Sequence, residues 1–210
     1  MKIAVALFDG VTALDAIGPY EILQRLPEAT VHFVGRSRGE VRTDNGFLGL
    51  MIDAPYQELD DPEILLIPGG IGTRELVHDS ATLDWVRKAH ATSRYTTSVC
   101  TGSLVLGAAG VLEGLRATTH FSAMALLSKY GATPTSQRVV HEGKVITAAG
   151  VSSGIDMALR LAELLSDETT AKALQLMIEY DPQPPHDAGS LQKVDASVLA
   201  RVQELARTKN

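Results

Sequence analysis

The chain has 210 residues, with 19 Lys and Arg against 25 Asp and Glu, so its net charge at neutral pH is −6. An acidic chain without a basic cluster is not typical of proteins that bind nucleic acid. A hydrophobic share of 45% and a charged share of 21% exclude a disordered chain and are typical of a globular protein, which we expect to form a single domain over residues 1–210.

The sequence contains one cysteine, which excludes an internal disulfide and a cysteine-rich metal site. The amino-terminal residues 1–8 are interrupted early by Asp9 and predict a first strand rather than a signal peptide. No apolar run approaches the roughly 20 residues needed to cross a bilayer. We therefore expect a cytoplasmic protein that binds no membrane and no nucleic acid.

Apolar runs and amphipathic segments alternate along the first half of the chain. Gly18 and Pro19 predict the start of a helix that Pro27 ends. Short apolar runs predict buried strands, glycine-marked turns predict a hairpin-like excursion, and apolar periodicity predicts two further helices. The strands are expected at 3–8, 30–34 and 64–67, the hairpin within 35–55, and the helices at 73–77 and 80–91.

The second half of the chain continues the alternation. A strand at 96–99 leads at Cys100 into a helix that Gly110 ends, and Ser122 predicts the cap of a helix that runs to Tyr130. Strands at 138–142 and 145–148 flank Gly143 as a hairpin, and helices are expected at 155–165, 168–178 and 198–206. Strands that alternate with helices predict an α/β fold, in which helices cover both faces of a mostly parallel sheet.

Cys100 lies where the predicted strand turns sharply into a helix. Such a turn projects a nucleophile above the carboxyl edge of a sheet, toward the unpaired N–H groups at the helix start. Those groups favour the thiolate, so we predict that the pKa of the Cys100 thiol lies below its usual range. The alternative is that Cys100 is an inert, buried hydrophobic residue.

Three other features lie near predicted strand ends. Asp15 is an acidic residue in an apolar stretch, and it is either a helix cap or a carboxyl group whose burial raises its pKa near the thiol. The backbone N–H groups of Gly70 and Ile71 suit a polar cradle for an anionic centre. His120 is a candidate base for Cys100, although we favour a structural role for it. No spacing of histidines and carboxylates indicates a metal site.

These residues belong to segments that together resemble one family. The segments are LDAIGPYE at 14–21, IPGG at 67–70, SVCTGSLVLGAAG at 98–110, RATTH at 116–120 and EYDPQPP at 179–185. They are similar to the ThiJ/PfpI superfamily, which is also called class I glutamine amidotransferase-like, and within it to the isocyanide hydratases (isonitrile hydratases). The resemblance covers nearly the whole chain.

The resemblance implies a flavodoxin-like three-layer α/β/α sandwich with a mostly parallel central sheet, and it implies a homodimer. It implies a hydro-lyase that hydrates an isocyanide to an N-substituted formamide without a metal or cofactor. In that reaction Cys100 attacks the isocyanide carbon to give a thioimidate, Asp15 is the acid and then activates water, and Thr101 lies in the same site. The pocket residues are expected to be Ile17, His120, Phe121, Gly150 and Val151.

Two residues depart from the hydratase pattern and bear on the size of the substrate. Phe121 stands where tryptophan is expected, and Ala149 stands where the hydratases tend to have glycine.

Two other functions stay open. The cysteine segment also resembles the ligand-binding domain of AraC-type regulators, which suggests a ligand sensor or a sensor of cysteine oxidation. The second alternative function is that of a glyoxalase or deglycase. The lack of an obvious histidine partner for Cys100 makes this alternative weaker.

Overall fold

The computed structural model describes residues 1–207. By its internal contacts the chain divides into two compact units, Met1–Ile178 and Glu179–Asn210. The single domain expected over residues 1–210 stays a prediction. Within residues 1–207, no helix combines the length and the apolar character that crossing a membrane requires.

The first unit is built on a seven-stranded sheet with the strand order β10-β11-β7-β6-β1-β2-β5. All neighbours in this sheet are parallel except β10 and β11, while β3 pairs with β4 and β8 with β9 outside it. The strands are β1 (Lys2–Ala6), β2 (Thr30–Gly35), β3 (Gly39–Arg42), β4 (Gly49–Ile52), β5 (Ala54–Pro55), β6 (Ile64–Ile67), β7 (Tyr95–Val99), β8 (Arg116–Ala117), β9 (Thr133–Pro134), β10 (Val139–Glu142) and β11 (Val145–Ala148).

Helices cover both faces of this sheet. Those of the first unit are α1 (Ala13–Leu23), α2 (Thr73–Leu76), α3 (Ser80–Thr92), α4 (Gly102–Ala108), α5 (Met124–Leu127), α6 (Ser153–Leu165) and α7 (Glu168–Met177), and the second unit contains α8 (Ala196–Arg207). Helices α1 and α6 share one apolar cluster with the sheet, and α3 and α4 share another. The mostly parallel, three-layer α/β/α fold is therefore confirmed.

The central strand β6 shows why both faces are covered. Its side chains alternate, so that Ile64 and Leu66 join the cluster with α1 and α6, while Leu65 and Ile67 join the cluster with α3 and α4. All four side chains are fully buried. A continuous apolar run of this kind is typical of a strand between two layers of helices.

The first helix begins earlier than the sequence predicts. Helix α1 starts at Ala13 rather than Gly18, so Pro19 lies in its interior and Asp15 lies in its first turn. Proline lacks an N–H group, and the carbonyl of Asp15 therefore has no helical partner four residues later. Because Ala16, Ile22 and most of this face are buried against the core, packing outweighs the local signal of the proline.

The segment after β8 also differs from its prediction. A single helix from Ser122 to Tyr130 is replaced by a 3₁₀ turn, the short helix α5, and a second 3₁₀ turn. The cap is His120 rather than Ser122, since the His120 side chain accepts the N–H of Ser122. This arrangement fixes the imidazole ring beside the end of β8.

Candidate active site

The site lies at the carboxyl edge of the sheet, where the loops after β1, β6, β7 and β11 meet. Parallel strands end at the same edge, so residues that are far apart in sequence come together there. The N–H of Gly69 donates to Asp15 Oδ2 over 2.9 Å, and the N–H of Cys100 donates to the carbonyl of Ala149 over 2.8 Å. The structure thus brings Asp15, the glycine loop and Cys100 into one cluster.

Cys100 occupies a sharp turn with a left-handed backbone, at φ +55°. A non-glycine residue in this region is strained, and surrounding contacts must hold it. Ser103 Oγ and Thr119 Oγ1 donate to its carbonyl, over 3.2 and 2.9 Å. A Cβ atom on Gly102 would lie 2.0 Å from the carbonyl oxygen of Ile67, so only glycine allows this approach. The side chain of Cys100 is left 5% exposed.

Asp15 faces Cys100 from the first turn of α1 and is fully buried. Its Oδ2 atom accepts the Gly69 N–H, and its carboxyl group forms a hydrogen bond with the Cys100 side chain. Its Oδ1 atom has no hydrogen-bond partner within residues 1–207. A buried carboxylate oxygen without a partner is costly, and protonation removes that cost.

Burial dominates the electrostatics of this pair. It raises the pKa of Asp15 to about 7, against the opposing hydrogen bonds from Gly69 and Cys100 and with a small contribution from Asp44. Burial, and then the facing Asp15 carboxylate, raise the pKa of Cys100 to about 12, although the N–H groups of Thr101 and Val151 lower it. The predicted low pKa of the thiol is therefore wrong, because burial and Asp15 outweigh the N–H groups.

With pKa values of about 7 and about 12, the two side chains hold one proton between them just above neutral pH, and that proton lies on the sulfur. Because the groups interact, their titration belongs to the pair. Transfer of the proton from sulfur to the carboxyl oxygen leaves the net charge of the buried pair unchanged. It places a thiolate beside a neutral acid, and the N–H groups of Thr101 and Val151 then donate to the thiolate. The pair can thus attack an electrophile and protonate the adduct.

Thr101 belongs to a hydroxyl network with the glycine loop. Its Oγ1 atom accepts the N–H of Gly70 over 3.0 Å and lies 3.1 Å from Thr73 Oγ1. The Thr73 hydroxyl, which is buried, also donates to the Gly70 carbonyl over 2.8 Å. The N–H of Gly70 is thus engaged, whereas the N–H of Ile71 has no bond within the described part of the chain. Thr73 was not predicted as a site residue, because its only signal in the sequence is a hydroxyl at the start of α2.

Three of the residues predicted to line the pocket, His120, Phe121 and Gly150, lie next to one another. The His120 ring lies over Gly150, where a Cβ atom would be 3.0 Å from Cδ2, and its centroid lies 4.4 Å from that of Phe121. Burial lowers the pKa of His120, and its Nδ1 atom lies 2.7 Å from Ser122 Oγ. Within residues 1–207 its hydrogen bonds are to Ser122 and not to Cys100, so the structural role of His120 stays a prediction.

The two remaining pocket predictions lie on α1 and before α6. Ile17 is half-buried, two residues after Asp15 on the same helix. Val151 is half-buried and packs against the apolar cluster that contains Cys100, and its backbone N–H lowers the pKa of the thiol. Val151 therefore acts on the nucleophile through its backbone, which the identity of its side chain does not indicate.

Comparison with known proteins agrees with this geometry. Residues 1–164 match the DJ-1/PfpI family. The isonitrile hydratase of Pseudomonas putida is 42% identical over 98% of this chain and 90% of its own length. A crystal structure of a ThiJ/PfpI family protein from Pseudomonas syringae has a TM-score of 0.93 and 39% identity, covering 99% of this chain and 87% of that one. The HTH-type transcriptional regulator CdhR of Pseudomonas aeruginosa is 30% identical over 62% of this chain and 39% of its own.

Proposed function

Since this chain belongs to the DJ-1/PfpI family, we propose that it is an isocyanide hydratase, which converts R–N≡C and water into R–NH–CHO. The buried pair of Cys100 and Asp15 carries the proposal, because it places a nucleophile and an acid side by side in one buried cluster. The similarity to the isonitrile hydratase of Pseudomonas putida supports the choice of substrate class.

In the first step the Cys100 thiolate attacks the terminal carbon of the isocyanide. An S–C bond forms, and the electron pair on that carbon takes the proton from Asp15. The products are a thioimidate, R–N=CH–S–Cys, and an Asp15 carboxylate. This step is general acid catalysis coupled to nucleophilic attack, and it draws on the proton that the pair shares before the substrate binds.

In the second step a water molecule adds to the thioimidate carbon. One proton of the water reaches the nitrogen, and the hydroxyl oxygen bonds to carbon. The C–S bond then breaks, the hydroxyl proton passes to Asp15, and the formamide leaves. Cys100 is then a thiolate beside a neutral Asp15, and return of that proton to sulfur restores the free pair, so the cycle needs no metal and no cofactor. Thr101, with its hydroxyl fixed beside Gly70, is positioned to orient the water.

Access to the sulfur favours a narrow, apolar substrate. Only 5% of Cys100 is exposed, and an isocyano group is linear and slim. Half-exposed apolar side chains neighbour the site residues in sequence, namely Leu14 beside Asp15, Ile71 beside Gly70, and Phe121 beside His120. An alkyl or aryl substituent therefore suits the surroundings better than a charged one.

The test is formation of formamide from a simple alkyl or aryl isocyanide by the purified full chain. Cys100→Ala should abolish turnover, and Asp15→Asn should lower kcat at least about 100-fold because it removes the proton donor. Asp53→Asn, which alters an exposed carboxylate, is the matched control and should stay near the unmodified rate. Turnover should survive dialysis against a chelator.

Near-normal turnover in Cys100→Ala or Asp15→Asn would contradict the mechanism. A parallel assay with methylglyoxal addresses the glyoxalase alternative. Conversion of methylglyoxal, with none of isocyanides, would overturn the proposal in favour of that activity. Inactivity on both substrates, with a Cys100 that still reacts with alkylating agents, would overturn it in favour of a sensor.

A further inference from the structure

The stretch 149–156 supplies much of the environment of Cys100. The carbonyls of Ala148 and Ala149 accept the Cys100 N–H over 3.1 and 2.8 Å, and the backbone N–H of Val151 lowers the pKa of the Cys100 thiol. The placement of this short stretch therefore decides how well the thiolate is stabilised.

The start of α6 is held by few bonds of its own. The N-cap residue Ser152 makes no capping hydrogen bond with its side chain. The hydroxyl of Ser153 is buried and has no hydrogen-bond partner within residues 1–207. The backbone bonds nearest to Val151 include a long one, from the Gly154 N–H to the Val151 carbonyl over 3.4 Å. Besides packing and the 2.9 Å bond from the Ser153 N–H to the Gly150 carbonyl, contacts from outside this stretch therefore contribute to the position of Val151.

Arg138, just before β10, makes that contact at three places. Its carbonyl accepts the N–H of Ala149 over 2.9 Å. Its Nε and Nη2 atoms donate to Asp156 Oδ2 over 2.8 and 2.6 Å, and Nη2 also donates to Ser152 Oγ over 3.2 Å. These three positions flank Val151 on both sides. Arg138 therefore holds Ala149 through its backbone carbonyl, and its guanidinium ties Ser152 to the first turn of α6.

The ion pair is too exposed to serve mainly in global stability. About half of the Arg138 side chain and a third of the Asp156 side chain are exposed, and exposed ion pairs add little to the free energy of folding. Locally the ion pair matters more, because it helps to place the N–H groups of the 149–156 stretch. A small displacement of such a group steeply weakens its interaction with a charged sulfur.

We infer that Arg138 and Asp156 are positioning residues that set the reactivity of Cys100 by holding the 149–156 stretch against it. The inference rests on the proposed function only in that Cys100 is taken as the nucleophile there. No contact between Arg138 and substrate is involved. The other ionisable groups beside this stretch are Asp15 on α1 and His120 before the 3₁₀ turn.

The test measures the thiol itself, since Cys100 is the only cysteine in the chain. Iodoacetamide alkylates the thiolate, forming an S–C bond as iodide leaves. We expect Arg138→Gln and Asp156→Asn each to lower the second-order alkylation rate at pH 7 by about three- to tenfold, and to move its pH midpoint upward, because each weakens a hydrogen bond to the thiolate.

Arg116→Gln is the matched control. Arg116 makes a similar two-nitrogen contact, to Glu142 Oε1 over 2.9 and 2.5 Å, away from the 149–156 stretch. This variant should alkylate within about twofold of the unmodified protein. The double variant Arg138→Gln/Asp156→Asn should react no more slowly than the slower single variant, because both residues act through one contact.

Two results would overturn the inference. One is alkylation of both single variants at the unmodified rate and midpoint, and the other is an equal fall in the Arg116→Gln control. Thermal melting of each variant verifies that it is folded before alkylation is compared. Because alkylation needs no isocyanide, a failure of the hydratase proposal would appear only in the formamide assay and would leave this contrast intact.

Discussion

Asp15 is the residue on which the chemistry of the site depends most directly. It is fully buried, its pKa is raised to about 7, and one of its oxygens lacks a partner within the described residues. A carboxyl group in this state holds its proton through much of the neutral range and can still release it. The same property makes the stability of the protein depend on pH.

Stability should fall as pH rises from about 4 to about 7, and Asp15→Asn should flatten this dependence. The folded-state pKa lies above the unfolded value of 3.8, so the native state holds the proton more tightly. The contribution is fully present below the unfolded pKa and is lost as pH rises through the folded one. From the pKa shift it amounts to at most about 4 kcal/mol.

Urea unfolding of both proteins at pH 5 and pH 8 measures this difference. The thiol of Cys100, whose pKa is raised, begins to titrate only above this window. Equal pH dependence in the two proteins would mean that Asp15 ionises normally in the folded state.

Thr73 should affect turnover although it lies behind Thr101. Thr73→Val removes the hydroxyl that donates to the Gly70 carbonyl and lies beside the Thr101 hydroxyl. We expect kcat to fall about tenfold with little change in KM, since one hydrogen bond that orients Thr101 is lost. Thr73→Ser, which keeps the hydroxyl, should stay within about threefold. Equal rates for the two variants would contradict this role.

Among the elements, the turn from β7 into α4 restricts most strongly which residues can occupy its positions. Gly102 lies against the Ile67 carbonyl, and Cys100 has a left-handed backbone. The strand on one side and the helix on the other are ordinary. The constraint is concentrated in the three residues that join them.

Gly102→Ala should destabilise the fold and reduce the reactivity of Cys100. Its Cβ atom would lie 2.0 Å from a backbone oxygen of β6, which cannot move without disturbing the sheet. We expect a loss of about 3 kcal/mol or more in the free energy of unfolding. Gly189→Ala is the control, because a Cβ atom there meets nothing within 4 Å and should leave stability unchanged. Equal stability of the two variants would contradict the steric argument.

The sequence predicts elements well where the signal is local. The apolar run 64–67 and the β-branched run before Cys100 predict strands that the structure confirms. Gly18 and Pro19 mislead about where the first helix begins, because burial of α1 outweighs the preference of proline for the first turn of a helix. The pKa of Cys100 and the contacts of Thr73 depend on groups brought together from distant strands, so no local pattern reports them.

At the scale of the whole molecule, large apolar side chains remain exposed in the first unit. Phe47, between β3 and β4, is 89% exposed, and Leu176 on α7 is 76% exposed. Exposed apolar surface of this kind is typical of interaction sites. It is compatible with the homodimer that the family resemblance implies.

We predict that the protein is a homodimer in solution, with a mass of about 45 kDa from two chains of 22.4 kDa. Light scattering measures this mass directly. Phe47→Asp and Leu176→Asp each place a charge on one of the exposed apolar surfaces, and the variant whose mass falls by half identifies the interface. An unmodified protein that scatters as a single chain would contradict the prediction.

The left-handed backbone of Cys100 has an evolutionary consequence. Cysteine is strained at φ +55° by on the order of 1 kcal/mol, whereas glycine is not. Glycine would remove this strain together with the nucleophile, so selection for the chemistry is what keeps a strained residue here. A descendant of this protein that no longer needs the reaction would be expected to drift toward glycine at this position, which would mark the loss of its activity.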